Sequence, residues 1–200
     1  MSKKLIPCIL DELSTLNPDK LYAEVPVSPR GYELGTRNIT YKNLANAVNG
    51  LARWLTSTLG PGQNFQTISY IGPNDLGHNI ALIAAVKAGY RLLLTSPRYG
   101  TVGQVKLMKQ VNCNDLLVSA ETESKIPGAL SAEHQNLRKW TLPSLNELFD
   151  TDHRRFEYTK SYEEAKRILW SSFIPQGLRD SLNQLSGPMN GQCHSLSSGS

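Results

Sequence analysis

The chain has 200 residues, 40% of them apolar and 19% charged, with a formal net charge of +4. As a whole that balance suits a folded globular protein rather than a disordered one. No apolar run approaches the roughly 18 residues of a membrane-spanning helix. The opening MSKKLIPCIL is broken by Pro7 and stopped by Asp11, without the apolar core and cleavage site of a signal peptide. A cytoplasmic location is the resulting expectation. The basic residues are dispersed, which argues against nucleic acid as a partner. Their one tight group, His153-Arg154-Arg155, reads as a solvated linker. Cys8, Cys113 and Cys193 show no Cys-x-x-Cys or Cys/His ligand spacing, so no metal site is expected.

In chain order, Leu5 to Leu16 reads as a short helix and Leu21 to Val25 as an extended segment. Thr40 can N-cap a helix whose face is Leu44, Val48, Leu51 and Leu55, and Gly60 supplies its stop. Ile68 to Ile71 is a strand ended by Gly72-Pro73. Asn74 or Asp75 then caps a helix through Leu76, Ile80, Ile83, Ala84 and Lys87 to Gly89. Its middle, Ile80 to Val86, is apolar almost all round and predicts burial between layers. Arg91 to Thr95 is a second strand, apolar enough to be covered on both faces. Thr101 caps a third helix carrying Val105, Leu107, Met108 and Val111, and Leu116 to Val118 is a third strand. Strand and helix alternate as βαβαβ, which predicts an α/β fold with a partial parallel sheet and flanking helices. Pro143 to Phe149 and Tyr162 to Arg167 read as further helical turns.

An open parallel sheet invites a nucleotide-binding reading, and the strand-to-helix turns oppose it. The turn Ile71-Gly72-Pro73-Asn74-Asp75-Leu76-Gly77-His78 has no G-x-G-x-x-G, and Pro73 removes an amide that a phosphate nest would use. No G-x-x-x-x-G-K-[ST] occurs in the chain. His78 has no Ser, Cys or Asp partner at suggestive spacing and reads as a satisfied structural or surface histidine. Cys113 reads as a small buried apolar residue, and Arg98 as a salt-bridge or surface group in a loop. No residue is assigned a catalytic, cofactor-binding or metal-binding role.

Charge stops near residue 167. Of 38 charged residues 36 lie in Met1–Arg167, and only Arg179 and Asp180 fall in the 33 residues that follow. Those 33 residues also hold eight serines and four glycines and keep no apolar period, so they read as a disordered tail unrelated to the rest. The expected division is 1–167 and 168–200.

Two segments carry a family resemblance. Ile39-Thr40-Tyr41-Lys42-Asn43-Leu44 resembles the first core motif of adenylate-forming enzymes, a Thr-Tyr-x-x-Leu that opens a helix. Leu82 to Tyr90, with its Lys87-Ala88-Gly89, is similar to their second. Leu94-Thr95-Ser96-Pro97-Arg98 is similar to the variant in fungal non-ribosomal-peptide-synthetase-like proteins, including carboxylate reductases. The resemblance spans about Leu5 to Arg167 and implies the N-terminal part of an adenylation (AMP-binding) domain. It implies a parent that activates a carboxylic acid with ATP and Mg2+ to an acyl-adenylate and loads it on a phosphopantetheine carrier. The family's Ser/Thr/Gly-rich phosphate loop, its later nucleotide-binding motifs and its catalytic lysine have no counterpart in this chain. The fragment is therefore expected to be inactive, to need no cofactor of its own, and to be prone to aggregation. A non-catalytic α/β binding or interaction module is the alternative.

In the family the phosphate loop follows shortly after a segment like Tyr162–Arg167, whereas here the chain continues ILWSSFIPQGLRDSLNQL. Permitted codons for Phe173–Leu185, read from the last base of the Phe173 codon, translate as HTSGTTGLPKPI. That is the family's phosphate loop at its expected place. Over Ile168–Ser172 the same frame permits Asp-Pro followed by apolar residues. A shifted reading frame at Arg167 is the expectation, against a natural unstructured tail whose codon freedom happens to allow the match.

Overall fold

The computed structural model describes residues 4–28, 31–63, 65–95, 100–123, 126 and 128–158. Arg98, the helical turn expected over 162–167 and all of 168–200 lie outside the described residues.

Helix α1 (Ile6–Leu16) leads into an antiparallel hairpin of β1 (Leu21–Ser28) and β2 (Gly31–Thr40). The extended segment expected at Leu21 is longer than the sequence suggests, and its partner β2 was not foreseen. Along β2 the exposed Tyr32 and Leu34 alternate with Glu33 and Gly35, and only Ile39 is buried, so no apolar face marks the strand. Helix α2 (Tyr41–Leu59) starts as expected. The Thr40 hydroxyl accepts from the Asn43 amide at 3.3 Å, and the Asn43 side chain accepts from the Thr40 amide at 3.0 Å. Two otherwise orphaned amides are thereby satisfied reciprocally, with Asn in the place usually held by Glu or Gln. Leu44, Val48, Leu51 and Leu55 are buried, and Gly60, at φ +86°, ends the helix.

The strands β3 (Thr67–Ile71), β4 (Arg91–Leu94), β5 (Asp115–Val118) and β6 (Arg138–Thr141) form a parallel sheet in the order β4-β3-β5-β6. Helix α3 (Leu76–Lys87) joins β3 to β4, and α4 (Thr101–Gln110) joins β4 to β5. Short helices α5 (Ala120–Glu123) and α6 (Gly128–Glu133) lead to β6, and α7 (Leu145–Asp150), N-capped by Ser144, follows it. The expected βαβαβ unit is present, extended by β6, whose Arg-Lys-Trp-Thr sequence gives no strand signal. Asp75, one of the two expected residues, caps α3. Two details differ from the sequence reading. Gly100 rather than Thr101 is the N-cap of α4. And among the described residues β4 is an edge strand with Leu94 44% exposed, so it is not covered on both faces.

Side chains alternate across β5, which separates two cores. Leu117 joins Leu44, Leu51, Leu55, Ile68, Tyr70, Ile80 and Ala84 on the side of α2 and α3. Leu116 and Val118 join Val105, Met108, Cys113 and Leu130 on the side of α4 and α6. Truncating a fully buried leucine in either cluster is worth about 2–5 kcal/mol. The end of α3 is held by a close backbone approach: the Gly62 amide donates to the Ala88 carbonyl at 2.9 Å. A Cβ on Gly89, itself at φ +86°, would meet the Gly62 carbonyl oxygen at 2.7 Å.

Candidate functional site

In open parallel sheets ligands gather at the carboxyl ends of the strands, where the chain's winding reverses. Here that point lies between β3 and β5, because α3 carries the chain to one side of β3 and α4 returns it to the other. Tyr70 is the last buried side chain of β3, and its ring packs edge-on against His78 with centroids 4.9 Å apart. A Cβ on Gly72 would run into the Tyr70 hydroxyl, so the turn needs glycine for close approach. Burial, and then the charges of Asp75 and Glu121, push the Tyr70 hydroxyl well above the ordinary tyrosine range. It stays a protonated donor at any physiological pH. From the β5 side, Thr122 Oγ1 donates to the Ile71 carbonyl at 3.2 Å and pairs with Ser119 Oγ at 2.9 Å.

The N-terminus of α3 is closed by its own cap. Asp75 Oδ1 accepts from the Gly77 amide at 2.8 Å. That carboxylate occupies the place where an anion would sit and would repel a phosphate. With Pro73 contributing no amide, this turn offers no phosphate cradle. His78 departs from its sequence reading as a satisfied histidine: its Nδ1 is buried without a hydrogen-bond partner. It packs on Tyr70.

A second polar constellation joins α1, α2, α3 and the strap after α7. Lys87 Nζ, buried on α3, donates to Asp11 Oδ1 on α1 and to Asn49 Oδ1 on α2, each at 2.7 Å. Burial pulls the Lys87 ammonium below the ordinary lysine range, and the Asp11 carboxylate opposes the pull. Arg155 approaches the other Asp11 oxygen at 3.7 Å. Along α2, Asn46 donates to the Leu148 and Thr151 carbonyls and accepts from the His153 amide. Asn49 accepts from the Phe156 amide, and Arg53 donates to the carbonyls of Arg154 and Arg155. Positions 46, 49 and 53 share one face of the helix, so they grip the strap as a ladder. His153-Arg154-Arg155, expected as a solvated linker, is thus docked through its backbone. An open cleft of about 400 Å3 lies here, lined by Asp11, Asn46, Asn49, Asp150, His153 and Arg155 among others. Sequence inspection missed this network because Asn46, Asn49 and Arg53 look like the solvent side of an amphipathic helix.

Cys113 is a buried free thiol, as expected, and burial pushes it up to about 12. Among the described residues no group of three or more His, Cys, Asp or Glu side chains could hold a metal ion. Nor is any described helix long and apolar enough to cross a membrane. Among the described residues these polar groups position the strand ends and the strap.

No family profile matches the chain. Over 167 residues, 82% of the chain, it is 34% identical to the isocyanide synthase-NRPS hybrid crmA of Aspergillus fumigatus. It is equally similar, over the same share, to the carboxylic acid reductase of Neurospora crassa. The chain spans only 11% and 16% of those two relatives. Among solved structures it resembles the N-terminal domain of FACL13 from Mycobacterium tuberculosis, with a TM-score of 0.57 at 17% identity over 78% of the chain and 37% of that structure. The N-terminal subdomain of Klebsiella oxytoca NpsA gives 0.55 at 17% identity, over 78% of the chain and 33% of that structure. A benzoate CoA ligase from Burkholderia xenovorans gives 0.54 at 14%, over 74% of the chain and 29% of that structure. At these identities the structural likeness shows the fold.

Proposed function

The chain belongs to the fungal non-ribosomal-peptide-synthetase-like and carboxylic acid reductase group of adenylate-forming proteins, as part of an N-terminal adenylation subdomain, and from that premise we propose its role. It is the scaffold portion of an enzyme that activates a carboxylic acid with ATP and Mg2+ to an acyl-adenylate. That enzyme then passes the acyl group to a phosphopantetheine carrier. The 200-residue chain itself does not catalyse the reaction. In-line attack on a phosphoanhydride needs donors aimed at the phosphates to stabilise the developing charge. The sheet's carboxyl edge presents the Asp75 carboxylate and the proline-interrupted turn instead.

The observation that carries this reading is the position of the break. Similarity to the relatives covers 82% of the chain, and all of its charged residues but Arg179 and Asp180 lie in Met1–Arg167. Beyond it, the frame one base out of phase accommodates HTSGTTGLPKPI across Phe173–Leu185. A loop of glycines and hydroxyl side chains followed by lysine is a phosphate-binding chemistry that the in-frame residues lack. Whatever synonymous codons are used, that frame also contains no stop between the Ser186 and His194 codons, and it forces a glutamate at the Met189–Asn190 junction. We place 168–200 as the out-of-frame product of a sequence that encodes the missing loop.

Carboxylate-dependent exchange of pyrophosphate into ATP tests the reading. The purified 200-residue chain is expected to show none above a protein-free blank across a panel of aliphatic and aromatic acids. Robust exchange by this chain would overturn it.

A further inference from the structure

A second cleft, of about 430 Å3, opens at the amino ends of β5 and β6, the end of the sheet away from Tyr70 and Asp75. Two turns wall it. The turn from α4 to β5 brings Asn112 and Asn114, and the turn from α6 to β6 brings His134, Gln135 and Asn136. Backbone bonds hold both turns. The Cys113 amide donates to the Met108 carbonyl at 2.9 Å, and the Leu137 amide to the His134 carbonyl at 3.0 Å. The Arg138 amide ties one turn to the other by donating to the Asn114 carbonyl at 2.8 Å. Asn112 itself, at φ +51°, takes the left-handed conformation that follows the end of α4. His134 is 5% exposed, and its ring Nε2 lies 3.0 Å from the Cys113 carbonyl oxygen. A carbonyl only accepts, so Nε2 carries the proton and the neutral ring keeps a lone pair on Nδ1. That nitrogen has no partner among the described residues, and it is not sealed from solvent as the orphaned Nδ1 of His78 is. The four side-chain amides of the cleft are equally uncommitted among the described residues.

We infer that this cleft binds a small uncharged polyhydroxylated molecule, a sugar or polyol, through the amides of Asn112, Asn114 and Asn136 and through His134 Nδ1. Ligand pockets are ordinarily lined by apolar and aromatic side chains. This one is polar throughout, and Lys109 and Glu133 complete its wall. Among the described residues it has no ring on which a base or an aromatic acid would stack and no apolar wall for an acyl chain. The charges of Lys109 and Glu133 cancel, and an entering anion would meet a carboxylate instead of a cluster of cationic donors. Recognition therefore rests on neutral hydrogen bonds. Each amide presents an acceptor oxygen and N–H donors, His134 adds a fixed acceptor, and a hydroxyl both donates and accepts. A molecule dense in hydroxyls satisfies that mixed set without bringing a charge out of water. Because both turns are already fixed by backbone bonds, binding has little ordering of the chain to offset. The inference does not rest on the functional reading above.

Nitrogen-15 NMR of the full 200-residue chain, titrated with glycerol, glucose, trehalose and, separately, inorganic phosphate, tests this. At least one of the three polyols should move the side-chain amide signals of Asn112, Asn114 and Asn136 and the ring signals of His134 along a saturable curve, while the backbone amides of β3 stay in place. Two variants carry the attribution. His134→Gln retains a donor for the Cys113 carbonyl and removes the Nδ1 acceptor, and the double replacement Asn114→Leu with Asn136→Leu alters only exposed side chains. Each should weaken the response about tenfold, the loss expected for one or two hydrogen bonds. The double variant keeps the test valid if His134→Gln does not fold. No saturable response to any of the three polyols would overturn the inference. So would drift of the β3 amides by the same amount, which is a solvent effect, or an unchanged response in the double variant. A stronger response to phosphate than to every polyol would make the cleft an anion site and would also overturn it.

Discussion

Lys87 and Asp11, 76 positions apart in sequence, form a buried ion pair of 2.7 Å that ties α3 to α1, with side-chain exposures of 0% and 7%. Asn49 completes it by accepting from the same ammonium at 2.7 Å, and its oxygen also holds the Phe156 amide of the strap. The lysine of the second family-like segment is therefore a structural hub. It links three helices and the chain's route out of the sheet.

Breaking this pair from one side leaves a buried charge without its partner. Lys87→Met should cost about 3–5 kcal/mol in urea unfolding. Arg155, at 3.7 Å from the other Asp11 oxygen, keeps the loss toward the lower end. The double replacement Lys87→Met with Asp11→Leu should recover most of it, because two apolar groups need no desolvation. If the double variant is no more stable than the single one, the pair is not what fixes α1 to α3.

The asparagine and arginine ladder of α2 makes a local prediction. Asn46→Ala removes a bond donated to α7 and, to the strap, one donated and one accepted bond, each worth about 0.5–1.5 kcal/mol net. Hydrogen exchange should accelerate at the His153 and Phe156 amides while those of β3 and β5 keep their protection. Equal acceleration in the sheet would mean that the strap is not separately held.

The backbone contact at the end of α3 predicts that Gly62→Ala is harmful although Gly62 lies in a loop. A Cβ there would run into the Gly89 carbonyl, a backbone atom that cannot rotate away. Gly60→Ala meets no atom within 4 Å, so its penalty comes only from its positive φ of +86°. Thermal unfolding of the two variants should place Gly62→Ala well below Gly60→Ala.

Cys113 sets an alkaline limit. Its thiol is raised from 9.0 to about 12 by burial, so above pH 9 the folded state holds a proton that the unfolded chain releases. Its contribution is fully present below pH 9 and is lost as pH rises toward 12. Tyr70 acts in the same direction at higher pH, because burial also raises its hydroxyl from 10.0. Cys113→Ala should flatten the fall in stability between pH 9 and 10, and peptide mapping should find Cys113 unalkylated until the protein unfolds. Rapid alkylation in the native state would contradict this.

What the sequence reveals follows from how regular each element's burial is. The α2 face of Leu44, Val48, Leu51 and Leu55, its Thr40 cap and the apolar cores of β3 and β5 are legible because one side chain in three or four, or a short continuous run, meets the core. β2 and β6 are not, since their exposed positions mix Tyr, Leu, Arg and Lys and their pairing is decided by neighbours distant in the chain. The cleft beside Asp11 was illegible for the same reason: Asn46, Asn49 and Arg53 bind backbone groups about 100 positions away, and no local pattern announces that. The uncovered side of α3 is the reverse case. The expected burial between layers is met on the side of Ile80, Ala81, Ala84 and Ala85 alone, because Asn79 and Leu82 on the other side are exposed.

The nucleotide sequence of the transcript across the Arg167–His194 codons tests the central claim most directly. In the frame one base out of phase it should encode an apolar lead followed by HTSGTTGLPK, joined to the frame of Met1–Arg167 by an indel or a misplaced splice junction. Codons there that encode the loop in no frame would contradict the claim, and would make 168–200 a native part of this protein.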